Sequence, residues 1–189
     1  LARQILAEEP RLRQEAGIEL VYSGLFSSSG GIFRPEGLTG DEVLAFPASS
    51  GAATASDSIN RAGLPFILID TTASDATAPY LTQTLSRGGA VVLANKKPLT
   101  GLLRIYESLC QAGSSRLFYE ATVGAGLPVI QSLRMLLATG DTIVKIEGCL
   151  SGTLGFIFSR LESGQKFSEA VLEAKNLGYT EPDPRDDLS

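Results

Sequence analysis

A short apolar run that ends at two lysines most constrains how this chain can fold. The run Ala90-Val91-Val92-Leu93-Ala94 has the length and the β-branched content of a strand buried on both faces, as in a parallel sheet. The polar residues Asn95-Lys96-Lys97 follow it directly. Because open α/β sheets bind ligands at the carboxyl ends of their strands, we expect Lys96 to reach a cofactor or a substrate. A solvated turn is the alternative interpretation of two lysines after a strand.

Helical and strand patterns alternate on both sides of this run. Strand patterns lie at 66–69, 90–94 and 116–119, and helical patterns lie at 75–88, 101–112 and 128–139. This alternation predicts a parallel sheet covered by helices on both faces, and right-handed crossovers make such a sheet doubly wound. Upstream, the sequence predicts a helix at 1–14, a strand at 18–26 and two short helices between 41 and 62.

The pattern changes after Gly140. Residues 142–150 alternate as a half-exposed strand does, and two amphipathic helices are predicted at 152–161 and 167–178. We therefore expect a doubly wound, Rossmann-type α/β domain over 1–140. Residues 141–189 are predicted to begin a second, α+β domain, whose strands pair in a different sheet.

Composition excludes several classes of function. Of the 189 residues, 43% are hydrophobic and 20% are charged, which is typical of a globular protein. The formal net charge is −5 and no basic run is present, so we expect no nucleic-acid binding, which needs clustered lysine and arginine. No apolar stretch approaches the roughly 18–20 residues that cross a bilayer, and no signal peptide is visible. We therefore expect a cytoplasmic protein without membrane contact.

The chain contains no histidine. This excludes Ser-His-Asp and Cys-His catalysis, the HExxH zinc motif and histidine acid–base chemistry, and it leaves carboxylates, lysine and tyrosine as proton carriers. Cys110 and Cys149 lack CxxC spacing, and we expect both to be buried thiols rather than metal ligands or a disulfide.

Four segments together resemble homoserine dehydrogenase, in the same order and at similar spacing. They are DTTASD at 70–75, ANKKPL at 94–99, YEATVGAGLP at 119–128 and GYTEPDPRDDLS at 178–189. The resemblance implies NAD(P)-dependent interconversion of L-aspartate 4-semialdehyde and L-homoserine, on the route to threonine and methionine. It also implies a homodimer or homotetramer whose second domain serves substrate binding and dimerisation.

By this resemblance, three residues face the cofactor. Lys96 would lie beside the nicotinamide and the substrate, where an ammonium supplies positive charge and a proton to a developing alkoxide, whereas Lys97 would point to solvent. Thr72 would contact the nicotinamide half of the cofactor, and Gly178 would lie against it. The alternative for Thr72 is that it caps the helix that follows, although Ser74 is a better candidate for the cap.

The resemblance also implies a substrate site. Glu181 would bind the amino group of homoserine and Asp187 would lie near the substrate. Thr153, at the start of a predicted helix, would offer its hydroxyl and its backbone amide. Each has an ordinary alternative: by composition alone, the proline-rich acidic loop at 178–184 is typical of a solvated surface turn, and Thr153 is at least as typical of a helix cap.

A sodium site is the last implication of the resemblance. The carboxylate of Glu120 and the carbonyls of Val123, Ala125 and Leu127 would hold a structural Na⁺. The glycines between them let the backbone turn so that oxygen atoms converge, which suits a hard cation. A glycine-rich turn without an ion is the alternative.

Two parts of the family pattern are absent. The GxGxxG turn that cradles the pyrophosphate is expected just before Leu1 together with its strand, and a catalytic aspartate and lysine are expected beyond Ser189. We therefore expect this sequence to be a fragment of the enzyme that is inactive by itself.

Two other hypotheses remain open. Another Rossmann-type semialdehyde oxidoreductase would keep the sheet but not the TEPDPRDDL loop, so the loop favours homoserine dehydrogenase. As an isolated fragment, the chain would act as a non-catalytic dimerisation module through Ile157, Phe158 and Leu161. The enzyme hypothesis further requires Lys96 and Glu181 to converge on one ligand.

Overall fold

The computed structural model describes residues 1–48, 50–124, 126–149, 151–181 and 183–188, and the chain forms two compact units, Leu1–Tyr119 and Glu120–Ser189. The sequence assigns the helix at 128–139 to the first domain, whereas its contacts place it in the second unit. The domain boundary after residue 140 stays a prediction. No helix within these described ranges is long and apolar enough to span a membrane.

The first unit begins with a helix, a hairpin and two short helices. They are α1 (Ala2–Ala16), β1 (Gly24–Ser27), β2 (Gly30–Phe33), α2 (Gly40–Ala45) and α3 (Ala55–Arg61). The predicted strand at 18–26 is wrong over its first part, because only β1 finds a partner strand, and that partner is the antiparallel β2. Gly30, at φ 135°, adopts a conformation that favours glycine and allows the chain to reverse beside Ser27.

The core of the first unit is a parallel sheet. Its strand order is β3 (Ile67–Asp70), β4 (Ala90–Leu93) and β5 (Leu117–Phe118), and the helices that accompany it are α4 (Ala78–Ser86), α5 (Lys97–Thr100) and α6 (Leu103–Gly113). The parallel sheet confirms the predicted α/β fold class. One face of the sheet packs against α4 and α6 in a buried cluster formed by Leu81, Leu85, Val91, Leu93, Leu109 and Leu117.

The opposite face of the sheet is largely open in the described part of the chain. Ile67, Ile69 and Phe118 are 56%, 39% and 50% exposed. They share this face because successive side chains of a strand alternate, and the register places Ile69 opposite Val92 and Val92 opposite Phe118.

The second unit contains helices α7 (Val129–Ala138), α8 (Gly152–Glu162) and α9 (Phe167–Asn176), with 3-10 turns at Glu120–Thr122 and Pro184–Asp187. Helices α8 and α9 pack through Ile157, Ala170 and Ala174, none of which is more than 1% exposed. The small alanines on α9 let the two helices approach closely. The prediction that Ile157 forms a dimer interface is therefore wrong, because this side chain is buried against its own chain.

The predicted strand at 142–150 is also absent from the described residues. Residues 141–149 have no regular structure; Val144 is 94% exposed, and Cys149 is exposed rather than buried as predicted. Leu150 lies outside the described residues. An alternating pattern forms a strand only when another strand accepts and donates its backbone hydrogen bonds, and none of the described residues does so here.

Candidate functional site

The first candidate site lies at the carboxyl ends of β3 and β4, where Asp70 and Asn95 are in contact. Asp70 ends β3 and is 5% exposed, and Asn95 follows β4 and is 2% exposed. Nδ2 of Asn95 donates to Oδ2 of Asp70 over 3.0 Å. The backbone N–H groups of Ala94 and Asn95 both donate to the Asp70 carbonyl. Side chain and backbone thus join two neighbouring strand ends.

The carboxamide of Asn95 also contacts the segments on either side. Nδ2 lies 2.6 Å from the carbonyl of Ser74, 3.2 Å from the hydroxyl of Thr72 and 3.3 Å from the hydroxyl of Thr77. Oδ1 of Asn95 accepts the backbone N–H of Lys97 over 3.1 Å. One buried side chain therefore connects the end of β3, the turn after it and the start of α5.

Asp70 is held as a carboxylate at this edge. Burial raises its pKa, but hydrogen bonds from Asn95, from the backbone N–H of Thr72 and from the hydroxyls of Thr77 and Thr72 together outweigh burial, so the pKa lies below its ordinary value. The Thr72 N–H lies 2.9 Å from Oδ1. Asp70 is therefore a buried negative charge at neutral pH that accepts several hydrogen bonds.

Lys96 and Thr72, two of the predicted cofactor contacts, both lie at this edge. Lys96 is exposed and directly precedes α5, and its carbonyl accepts the N–H groups of Leu99 and Thr100. Thr72 is exposed after β3, and its hydroxyl accepts the N–H of Ser74 over 3.3 Å. The structure brings both residues to adjacent strand ends, and their contact with a cofactor stays a prediction.

Ser74 and Lys97 lie beside the two strand ends. Ser74, rather than Thr72, caps the turn at Asp75–Thr77, because its hydroxyl accepts the N–H of Ala76. The side chain of Lys97 is exposed, as predicted. Sequence reasoning missed the roles of Asp70 and Asn95, although both end apolar strands, and a polar residue at that position is itself a signal.

The second candidate site lies in the second unit, where the first turn of α8 meets the loop after α9. The Thr153 side chain is buried, and its hydroxyl donates to the Tyr179 carbonyl over 2.5 Å and lies 3.2 Å from Oδ1 of Asp187. Oδ2 of Asp187 accepts the N–H of Glu181 over 2.8 Å. The structure thus brings together Thr153, Glu181 and Asp187. Their contacts hold the loop, and their binding of a substrate stays a prediction.

A shallow cavity opens beside this loop. Its volume is about 370 Å³, and it is lined by Gly152, Thr153, Phe156 and Tyr179. The rings of Phe156 and Tyr179 lie 5.1 Å apart at their centroids, and the Arg160 guanidinium lies 4.8 Å from the Phe156 centroid. The second unit therefore offers an aromatic wall next to the residues that position Glu181.

Gly178 ends helix α9. It adopts φ 75°, its N–H donates to the Lys175 carbonyl, and the N–H of Tyr179 donates to the Ala174 carbonyl. This pair of bonds is a Schellman motif, which favours glycine because of its left-handed conformation. Gly178 thus has a structural role that sequence reasoning missed, and its predicted contact with a cofactor remains untested.

Glu120, the predicted sodium ligand, binds the start of α7. Its two carboxylate oxygens accept the N–H groups of Ile130 and Gln131 over 2.9 and 2.8 Å. A negative charge is favourable there because the first amides of a helix lack partners within the helix. Sequence reasoning missed this capping role, because Glu120 lies some ten residues before the amides that it binds.

The other predicted sodium ligands are only partly described. The carbonyl of Leu127 accepts the N–H of Val129, and Ala125 lies outside the described residues. Val123 follows the 3-10 turn and is half-buried. No group of three or more acidic or cysteine side chains that could hold a metal occurs in the described part of the chain.

Comparison with known proteins identifies the family. Residues 128–189 match the sequence profile of the family described as homoserine dehydrogenase. Over its whole length, the chain is 40% identical to a maize protein, bifunctional aspartokinase/homoserine dehydrogenase 2, of which it covers 22%. This chain belongs to the homoserine dehydrogenase family.

Further relatives agree. The chain is 45% identical to homoserine dehydrogenase of Schizosaccharomyces pombe over 141 residues, which are 70% of this chain and 38% of the yeast enzyme. A hyperthermophilic archaeal homoserine dehydrogenase in complex with NADPH superposes with a TM-score of 0.79 at 26% identity, over 98% of this chain and 59% of that one. The chain thus spans less than two thirds of each of these homoserine dehydrogenases.

Proposed function

We propose that the protein containing this sequence is an NAD(P)-dependent homoserine dehydrogenase, which interconverts L-aspartate 4-semialdehyde and L-homoserine on the route to threonine and methionine. The observation that carries the proposal is the edge of the parallel sheet, where the Thr72 hydroxyl lies 3.2 Å from Asn95 Nδ2 and Lys96 follows Asn95 in the chain. Family membership and the NADPH bound to the archaeal relative support it.

The residues at this edge suit the chemistry. A bound nicotinamide would supply a hydride to the aldehyde carbon. The ammonium of Lys96 would stabilise the negative charge that develops on the aldehyde oxygen, and it carries a proton that the alkoxide requires. Thr72, on the neighbouring strand end, would contact the nicotinamide half of the cofactor. Lys97 would take no part.

The fit to the cofactor is partial. Exposed polar residues stand at the carboxyl ends of two parallel strands, where α/β sheets hold nucleotides. The sequence contains no GxGxxG turn for the pyrophosphate. The residues present therefore fit the nicotinamide half, and Gly178 is the third proposed contact.

The second unit would supply the substrate site. Oδ2 of Asp187 accepts the Glu181 N–H, and Oδ1 lies 3.2 Å from the Thr153 hydroxyl. Asp187 and Thr153 would therefore shape the loop, and the Glu181 carboxylate would bind the α-ammonium of the substrate. The acidic character of the loop suits that positive charge.

Three further parts of the proposal rest on the family resemblance. A structural Na⁺ would bind at Glu120 and the carbonyls of Val123, Ala125 and Leu127, where each carboxylate oxygen that holds α7 can accept a second contact. The protein would be a homodimer or homotetramer, and it would act in the cytoplasm.

Substitutions at two neighbouring lysines test the proposed activity. In the complete protein, Lys96→Ala should lower kcat for homoserine oxidation by about 100-fold or more, the effect expected when a charge that stabilises the transition state is removed. Lys97→Ala is the matched control and should retain near-normal turnover. The hydrogen bond from the backbone N–H of residue 97 to Asn95 Oδ1 does not depend on the Lys97 side chain. Near-normal turnover of Lys96→Ala, with the fold intact by circular dichroism, would refute the role of Lys96.

A further inference from the structure

We infer that Asn95 is a positioning residue, whose carboxamide sets Thr72 and Lys96 in place relative to each other so that both can act on one ligand. The inference rests on the proposed function, because it assigns Asn95 a task at that same site. The carboxamide contacts the Thr72 hydroxyl through Nδ2 and the Lys97 amide through Oδ1.

The first step of the argument is that Asn95 restrains Lys96 from both sides. Asn95 precedes it, and the N–H of Lys97, which follows it, is bound by Asn95 Oδ1. The carbonyl of Lys96 accepts the N–H groups of Leu99 and Thr100 over 2.9 and 3.1 Å, so the first turn of α5 continues this restraint. Because a side chain leaves its backbone in a fixed direction, the place of the ammonium depends on this turn.

The second step is that Asn95 restrains the partner strand end as well. Its Nδ2 group lies among four acceptors, of which the Ser74 carbonyl at 2.6 Å and Asp70 Oδ2 at 3.0 Å are the closest. An amide nitrogen carries two hydrogens, so these acceptors fully occupy it. Thr72 lies between Asp70 and Ser74 in the chain, and both of its flanks are therefore tied to Asn95.

The third step concerns residue type. The Lys97 N–H can bond only to an acceptor, and Asp70 only accepts, so the side chain between them must accept at one end and donate at the other. Asparagine does both in one rigid plane. An aspartate in its place would keep the acceptor, lose the donor and face the buried Asp70 carboxylate. The charged side chains on the segments around it are Asp70, Asp75, Lys96 and Lys97.

Asn95→Asp in the complete protein is the main test, with Asn60→Asp as the matched control. Asn60 is exposed, and its Oδ1 accepts from Gln83 over 2.9 Å, a contact that a carboxylate can keep. Asn95→Asp should lower kcat by about 100-fold at neutral pH, as expected for a reacting group displaced by about 1 Å. Asn60→Asp should leave kcat unchanged.

The pH profile separates positioning from mere stability. When pH falls, the introduced carboxyl and Asp70 share a proton and the lost donor returns. The ratio of kcat for Asn95→Asp to kcat for the natural protein should therefore rise as pH falls, whereas the ratio for Asn60→Asp should stay flat. A flat ratio for folded Asn95→Asp would overturn the inference.

Asn95→Ala serves if the aspartate variant does not fold. It introduces no charge and removes both the donor to Asp70 and the acceptor for the Lys97 amide. We expect kcat per folded molecule to fall at least about tenfold, with a smaller change in KM for homoserine. Unchanged kcat per folded molecule would show a purely structural role and overturn the inference.

Amide hydrogen exchange gives a readout that needs neither cofactor nor activity. In Asn95→Ala, the Lys97 amide should exchange faster than in the natural protein, because Asn95 Oδ1 is its acceptor and alanine offers none. Equal exchange would contradict the geometry on which the inference depends. If the natural protein oxidises no homoserine, the proposed function fails while the exchange result still stands by itself.

Discussion

The hydroxyl of Thr153, in the first turn of α8, lies 2.5 Å from the backbone carbonyl of Tyr179, which follows α9. The side chain of Thr153 is only 7% exposed. This contact helps to attach the loop that carries Glu181 to the start of a helix.

Removal of that hydroxyl should therefore loosen the loop. Thr153→Val keeps the shape but leaves a carbonyl without its donor, which should lower the free energy of unfolding by about 1–3 kcal/mol. We expect KM for homoserine to rise at the same time. Thr153→Ser keeps the hydroxyl and is the control. Urea denaturation and steady-state kinetics measure both effects, and equal behaviour of the two variants would contradict this role.

Asp70 should make stability depend on pH. Its pKa in the folded protein is lowered from the ordinary 3.8, so the carboxylate stabilises the folded state at higher pH, and this contribution disappears as pH falls through the lower native pKa. Asp70→Asn should reduce stability near neutral pH and show a smaller loss on acidification below about pH 5. Asp75→Asn, at an exposed position nearby, should keep the full loss. The measurement is the denaturation midpoint of each protein, taken from about pH 2 to about pH 7 in steps of about 1 pH unit.

A comparison of Gly178 with Gly164 distinguishes a structural role of Gly178 from a role in cofactor binding. Gly164 and Gly178 end α8 and α9 with the same Schellman bonds, at φ 89° and 75°, and a Cβ at either would meet no atom within 4 Å. Gly164→Ala and Gly178→Ala should each lower stability by about 1 kcal/mol through backbone strain alone.

Only Gly178→Ala should weaken NADPH binding, measured by fluorescence titration of the complete protein, if Gly178 lies against the cofactor. Equal NADPH affinity in both variants would leave Gly178 with its helix-ending role alone.

Glu120 should stabilise the second unit with or without sodium. Glu120→Gln loses the charge that faces the first amides of α7, and we expect the free energy of unfolding to fall by about 1 kcal/mol in choline chloride. If sodium also binds there, replacing choline by Na⁺ should raise the melting temperature of the natural protein and not that of the variant. An identical response of both proteins to Na⁺ would reject the sodium site.

Local sequence patterns predict part of the candidate site. The strand at 90–94 was predicted nearly residue for residue as β4, and with it the place of Lys96 at the carboxyl edge of a parallel sheet. The helix patterns at 101–112, 152–161 and 167–178 correspond to α6, α8 and α9 within a few residues. These elements are set by apolar spacing and by glycines at helix ends, and both lie in neighbouring residues.

The sequence by itself determined the family, the parallel sheet and the position of Lys96, because each depends on residues that are close together in the chain. Only the tertiary structure decided that 142–149 form no strand, that Ile157 faces α9, and that Asn95 connects Thr72 with the Lys97 amide. The physical reason is that strand pairing, helix burial and side-chain hydrogen bonds need a partner from elsewhere in the chain. Spacing along a sequence shows which residues need such partners, and the tertiary structure determines which residues they contact.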